Sequence, residues 1–199
     1  MILSSGEVKK IKKIKGQVRG VALKTDLAYV KDNRGKEAVK QVKKAVQEID
    51  PEFDFGQIKN MEWYSLKWRA LLLLVIKESF DWQDRDLYEM GRHAPTNSFV
   101  VKILLRYFYN FEKTCREAPS YWGKHYNKGK LELVEFSDDK KRVIYRLKNF
   151  NLHPVMCPYL KGYFQGIAEL TKPGYELETR ETKCAFKKAR YHEFVITWK

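Results

Sequence analysis

Residues 130–148 read KLELVEFSDDKKRVIYRLK. Leu131, Leu133 and Val134 with Phe136 make one apolar run, and Val143, Tyr145 and Leu147 alternate along the return strand on the other side of Ser137-Asp138-Asp139-Lys140. A period of two on both sides of a turn-like polar cluster predicts an antiparallel hairpin with one buried face. Downstream, Pro154 opens a helical pattern through Leu160, Tyr163, Phe164, Ile167 and Leu170, stopped by Lys172-Pro173-Gly174. Tyr175 to Phe186 and Tyr191 to Trp198 return to strand character. The order strand–strand–helix–strand–strand predicts a four-stranded antiparallel sheet with one helix between its two hairpins.

Upstream, the period is helical. Val8, Ile11 and Ile14 recur among lysines and predict a short basic helix that Gly16 ends. Thr25 or Asp26 can cap a helix from Leu27 to Gly35, and Val39, Val42, Val46 and Ile49 continue with one apolar stripe until Asp50-Pro51. From Trp63 to Phe80 the pattern is apolar nearly all round, which predicts a central helix. Asp84 to Met90 reads as a short helix stopped by Gly91. Phe99, Ile103, Leu104, Tyr107 and Phe108 mark a helix ending near Cys115, and Ala118 to Tyr126 reads as a loop. The expectation is an α+β fold: N-terminal helices packed on the sheet, with residues 1–15 as a basic extension and 16–199 as a single domain.

The chain has 199 residues and a net charge of +14. That charge points to anionic partners, either nucleic acid or an anionic membrane, through Lys9, Lys10, Lys12, Lys13 and Lys15. The segment YWGKHYNKGK, residues 121–130, interleaves aromatic and basic residues, a composition that suits base stacking or an anchored loop. An aromatic content of 14% excludes a disordered chain. Three scattered cysteines, Cys115, Cys157 and Cys184, suggest a reducing compartment, and no apolar run approaches a membrane span. A cytoplasmic location is the expectation.

Catalytic motifs are missing: no G-x-S-x-G elbow, H-E-x-x-H, Walker or Rossmann pattern occurs, and an enzyme is not expected. Of the four histidines, His93, His125, His153 and His192, none stands at metal-ligand spacing from another. Cys157, Cys184 and His192 can meet across neighbouring strands and a helix, as zinc would require. The set lacks paired C-x-x-C, and the expectation is buried, reduced, metal-free cysteines.

Two stretches resemble a known superfamily. VRGVALKTDLAYVKDNRG, residues 18–35, is similar to the opening of heme-nitric-oxide-binding (H-NOX) domains. CPYLKGYFQG, residues 157–166, followed by ETKC, residues 181–184, and the closing strand to Trp198, resembles 4-vinyl-reductase-type domains and the small subunits of the TRAPP vesicle-tethering complex. The resemblance implies an α+β fold around an apolar pocket that takes heme, lipid or another small ligand, or an interaction module. Departures matter. H-NOX domains place an iron-ligating histidine on the helix before the hairpin, and Phe99 to Cys115 holds none. Their Tyr-x-Ser-x-Arg propionate motif has YRLKN, residues 145–149, as its nearest counterpart, without the serine or the second arginine. Where vinyl-reductase-type domains carry another cysteine in the last strand, His192 and Glu193 stand.

The sequence therefore leads to a sensory or small-ligand-binding domain without heme or another cofactor. Its small hydrophobic or amphipathic ligand is expected between the helix at Trp63 to Phe80, the helix at Phe99 to Tyr109 and the sheet. Trp63, Trp68, Phe99, Phe108, Tyr163 and Phe164 would line that site. The alternative is an interaction module acting as a homodimer or through the basic surface.

Overall fold

The computed structural model describes residues 3–97 and 110–199. Helices occupy the first part of the chain: α1 (Ser5–Lys12), α2 (Gly20–Ile49), α3 (Leu66–Ser79), α4 (Asp84–Asn97) and α5 (Phe111–His125). The sheet follows, with β3 (Lys130–Ser137), β4 (Arg142–Lys148), α6 (Met156–Thr171), β5 (Leu177–Lys183) and β6 (Tyr191–Trp198). Two short strands, β1 (Gln17–Arg19) and β2 (Trp63–Ser65), form a separate antiparallel ladder ahead of α2 and α3. The helix expected at Phe99–Tyr109 lies outside the described residues.

The four-stranded sheet has the order β3-β4-β6-β5 and is antiparallel throughout. Its register puts Tyr145 opposite Leu133 and Phe194, and Val143 opposite Ile196. Val143, Tyr145, Leu147, Phe194 and Ile196 are buried on one face, while Arg142, Ile144, Arg146 and Lys148 stay partly exposed on the other. This alternation is what a half-buried sheet demands. Helix α6 lies on the buried face: the Phe164 ring stacks on Tyr145 at 5.4 Å and meets Phe194 at 4.8 Å.

Four helical expectations are corrected. Helix α2 begins at Gly20, not near Leu27, so Thr25 and Asp26 lie inside it and are buried rather than capping. Gly35 interrupts it with φ +83°, between the two apolar runs seen in the sequence. Trp63 belongs to β2, and the apolar helix starts only at Leu66. Helix α4 continues through Gly91 and Pro95, and α5 continues past Cys115 through Pro119 to His125 where a loop was expected.

Gly91 was read as a stop because glycine disfavours helix interiors. Its reason is packing. A Cβ on Gly91 would overlap the Tyr159 carbonyl, one on Gly162 the Tyr88 carbonyl, and one on Gly166 the Arg92 carbonyl. Helices α4 and α6 therefore touch backbone to backbone, and the Arg92–Glu169 ion pair at 2.8 Å closes one edge. Gly162→Ala is expected to destabilise by about 3 kcal/mol, because a carbonyl cannot yield as a flexible side chain does. Gly123→Ala, in α5 with open space around it, is expected to gain roughly 0.5–1 kcal/mol from helix propensity alone. Urea midpoints of the two variants check this, and equal signs would refute it.

Helix α1 packs back on the body. Ile11 is buried, and Glu7 meets His153 at 2.9 Å. No described helix is long and apolar enough to cross a membrane.

Candidate metal centre and adjoining cavity

Helix α6 carries two kinds of functional geometry. Its first turn presents Cys157 to the end of β5 and the start of β6. There Cys157, Glu181, Cys184 and His192 bring one donor atom each within 4.8 Å of one another. The two Sγ atoms are 3.7 Å apart, and Cys157 Sγ lies 3.9 Å from His192 Nδ1. His192 Nδ1–H donates to Glu181 Oε1 at 2.7 Å, while its buried Nε2 finds no partner among the described residues.

A tetrahedral zinc with Zn–S near 2.3 Å sets its two sulfurs about 3.8 Å apart, and nitrogen and oxygen at ~2.0–2.1 Å set those two about 3.4 Å apart. The sulfur pair already stands at the required separation. The His192–Glu181 contact, 2.7 Å long, is a hydrogen bond, and it would have to lengthen by about 0.7 Å once the proton leaves. Burial, then the Glu181 carboxylate, then the neighbouring Cys184 push the Cys157 thiol up. Without a cation this cluster opposes its own ionisation; a divalent cation reverses that sign. The donor set of two thiols, imidazole and carboxylate therefore fits a zinc-class ion.

Sequence reading placed Cys157, Cys184 and His192 within reach but left the set incomplete. Glu181 is the fourth donor. It pairs with Phe194, and a register shift before Lys183 carries the chain round to Cys184. Such an irregularity leaves no period in the sequence. Cys184 is buried, and Cys157 is half-buried rather than fully buried.

Further along α6, Tyr159, Leu160, Tyr163, Phe164, Ile167 and Ala168 form one wall of a mostly apolar cavity of about 140 Å³. Val21, Ala22 and Thr25 of α2, Arg69 of α3 and Ala94 of α4 contribute, and α5 supplies Cys115, Tyr121, Trp122 and His125. Tyr145 and Ile196 of the sheet form the floor. Burial pushes the Cys115 thiol up to about 12, so it is an inert wall group.

One buried charge faces this space. Arg69 is 4% exposed and donates to Asp26 through Nε at 3.2 Å and Nη2 at 3.4 Å. Asp26, fully buried, also accepts from the Tyr159 hydroxyl at 2.7 Å. The guanidinium lies over the rings of Tyr159 and Tyr126, at 4.7 and 5.6 Å. Asp26 is thus a partner for a buried arginine, with a cap's spacing but no capping role.

Of the six residues expected to bind ligand, Tyr163 and Phe164 line the cavity. Trp68 instead stacks on Phe53 at 4.6 Å and donates to Asp50. Trp63 lies beneath the Arg19 guanidinium, 3.8 Å from its carbon. Phe99 and Phe108 lie outside the described residues. His125, read as a loop residue, closes α5 and lines the cavity. Its Nδ1–H donates to the Tyr121 carbonyl at 2.9 Å. A pre-hairpin helix does then carry a histidine, beyond the stretch where the sequence comparison looked for one.

Among the described residues, the cavity as it stands is too small for heme. The space is close to the ~150 Å³ apolar cavity known to admit benzene, and a porphyrin is many times that size. Asp26 already neutralises Arg69, so a propionate at this wall would add an uncompensated buried charge.

No protein-family description matches the chain, and no curated relative matches it. Solved structures do. An H-NOX protein from S. oneidensis in its Fe(II)NO state superposes with TM-score 0.68 at 10% identity, covering 91% of this chain and 99% of that one. An oxygen-binding H-NOX domain related to soluble guanylate cyclases superposes with TM-score 0.61 at 12% identity, covering 91% and 95%. At such identities the likeness speaks for architecture, and the chain shares the H-NOX fold.

Proposed function

We propose that this chain is a non-catalytic sensory domain that binds a small apolar or amphipathic ligand without heme, and that a zinc-class ion pins α6 to the sheet. The observation that carries the reading is the cavity walled by α6. One helix lines it with Tyr163 and Phe164 and carries Cys157 of the four-donor cluster in its first turn. An apolar enclosure with few polar groups is the usual form of a ligand site. The ion would ligate Cys157, Glu181, Cys184 and His192 and supply structural cross-linking. Residues 16–199 act as the binding unit, with 1–15 as its basic extension.

Native mass spectrometry of freshly purified protein, at low and high declustering energy, tests the reading. It is expected to show a small organic adduct or uptake of benzene-sized probes. Hemin added to the protein is expected to give weak, broad absorption. A sharp, saturable one-to-one Soret band that survives desalting would overturn the heme-free part, with His125 the ligand to examine first.

A second reading rests on Lys9, Lys10, Lys12, Lys13 and Lys15, all exposed on and just after α1. They would serve a nucleic-acid or anionic membrane surface. Phosphate contacts of that kind weaken steeply with salt, whereas uptake into the cavity does not depend on salt.

A further inference from the structure

From the buried groups at the cavity wall we infer that the ligand carries a neutral head that both accepts and donates hydrogen bonds, such as a primary carboxamide, and that Arg69 and His125 read it. This deepens the ligand-binding reading above and rests on it.

Arg69 and Asp26 are both buried and neutralise each other. An anionic head would add an uncompensated charge to a low-dielectric site, a cost that grows as water is excluded. A cationic head would meet the guanidinium. A neutral head avoids both. Besides Arg69, Arg19 and Lys124 act on His125 as cations. They favour an anion, but Lys124 is exposed and Arg19 partly so. Solvent and salt screen such charges far more than buried ones.

Arg69 uses Nε and Nη2 on Asp26, and Nη1 has no hydrogen bond to a described residue. Arginine is donor only, so this edge asks for an acceptor. His125 Nδ1 faces a carbonyl oxygen, which can only accept, so Nδ1 carries the proton. Burial, with the neighbouring cations, lowers the His125 pKa and keeps the ring neutral. Its Nε2 is then a bare lone pair, which asks for a donor. A carboxamide supplies a carbonyl to the first and an N–H to the second. A carboxylate offers only acceptors, and a hydrocarbon offers neither.

The test compares benzamide, benzoate and toluene, three probes of one ring and differing heads, by calorimetric titration on the full chain. Benzamide is expected to bind at least about tenfold more tightly than either of the others, the factor one net hydrogen bond confers. His125→Phe is expected to remove most of that advantage while toluene still binds. Ala118→Phe, which fills the cavity from its half-exposed side, is expected to abolish all three. Tightest binding by benzoate would overturn the inference and make Arg69 an anion reader, with the ligand-binding reading intact. Equal binding by all three would overturn it as well, showing a cavity that reads apolar shape alone. If no probe binds and no adduct is carried through purification, the ligand-binding reading falls with it. Circular dichroism spectra of the two variants that match the parent protein exclude misfolding as the cause of any loss.

Discussion

Cys184→Ala is expected to strip the protein of a stoichiometric zinc-class ion and to lower its melting temperature by about 10 °C. The chain of reasoning is geometric. Four donors lie within 4.8 Å, the sulfurs already 3.7 Å apart, so shifts of an ångström or less close them on a tetrahedral ion. Structural zinc contributes ~10–16 kcal/mol in finger peptides that have no fold without it. Here the sheet and α6 already pack through Phe164, Tyr145 and Phe194, so a smaller share, about 3–5 kcal/mol, is expected to appear as stability. For a chain of this size each kcal/mol is worth ~2–4 °C. Elemental analysis of protein purified without chelator, or a cobalt-substituted sample with tetrahedral d–d bands and thiolate charge transfer, reads the site directly. Glu181→Gln keeps both thiolates and the imidazole, so it is expected to weaken the ion's hold without emptying the site. Protein that emerges with no metal and binds none at micromolar zinc or cobalt would sink the assignment.

The parts of this molecule legible in the sequence are those where one face of an element is dry and the other wet. Val143, Tyr145 and Leu147 announce β4 because a half-buried strand alternates by geometric necessity. The hairpins, the helix between them and the antiparallel sheet follow from such runs, but its spatial order β3-β4-β6-β5 does not. What was misread depended on contacts between distant segments. Asp26 stands where a cap belongs, and nothing local reveals that Arg69, on another helix, claims it. Gly91 has the composition of a stop, and only the Tyr159 carbonyl across the interface explains it as a spacer. Ala118 to Tyr126 reads as a loop, yet α5 runs through Pro119 to His125, with Trp122 buried and His125 lining the cavity. The residues expected to meet a ligand are placed on the same principle. Tyr163 and Phe164 sit on a helix whose inward face the period fixes. Trp68 is just as apolar, but it is consumed by stacking on Phe53. Apolarity marks burial and does not say which buried rings border empty space. Glu181 stands in the ETKC stretch, yet its place beside Cys157 depends on a strand irregularity that has no periodic signature.

The buried pair at the cavity wall leads to the second large effect, and it is asymmetric. Asp26→Leu leaves the Arg69 guanidinium buried with no counter-charge. Arginine cannot shed its proton, so this variant is expected to lose about 3–5 kcal/mol at any accessible pH. Arg69→Met leaves a carboxyl group instead, and a carboxyl can neutralise itself. Burial already pushes Asp26 upward, against the pull of Arg69 and then the Tyr159 hydroxyl. With Arg69 gone the folded-state pKa rises further above the unfolded value. The sign follows: the folded state then holds a proton that the unfolded state releases, so stability is present below the unfolded pKa and is lost as pH rises through the folded one. Arg69→Met is therefore expected to lie close to the parent protein in acid and to fall behind steadily towards neutral pH. Asp26→Leu is expected to stay displaced throughout. The double variant removes both charges together and is expected to recover most of the loss, since an apolar pair of similar volume often matches a buried ion pair. Urea unfolding of the four proteins at several pH values measures all of this in one double-mutant cycle. A flat pH profile for Arg69→Met, or a double variant no better than Asp26→Leu, would show that the pair is not the electrostatic unit its geometry implies.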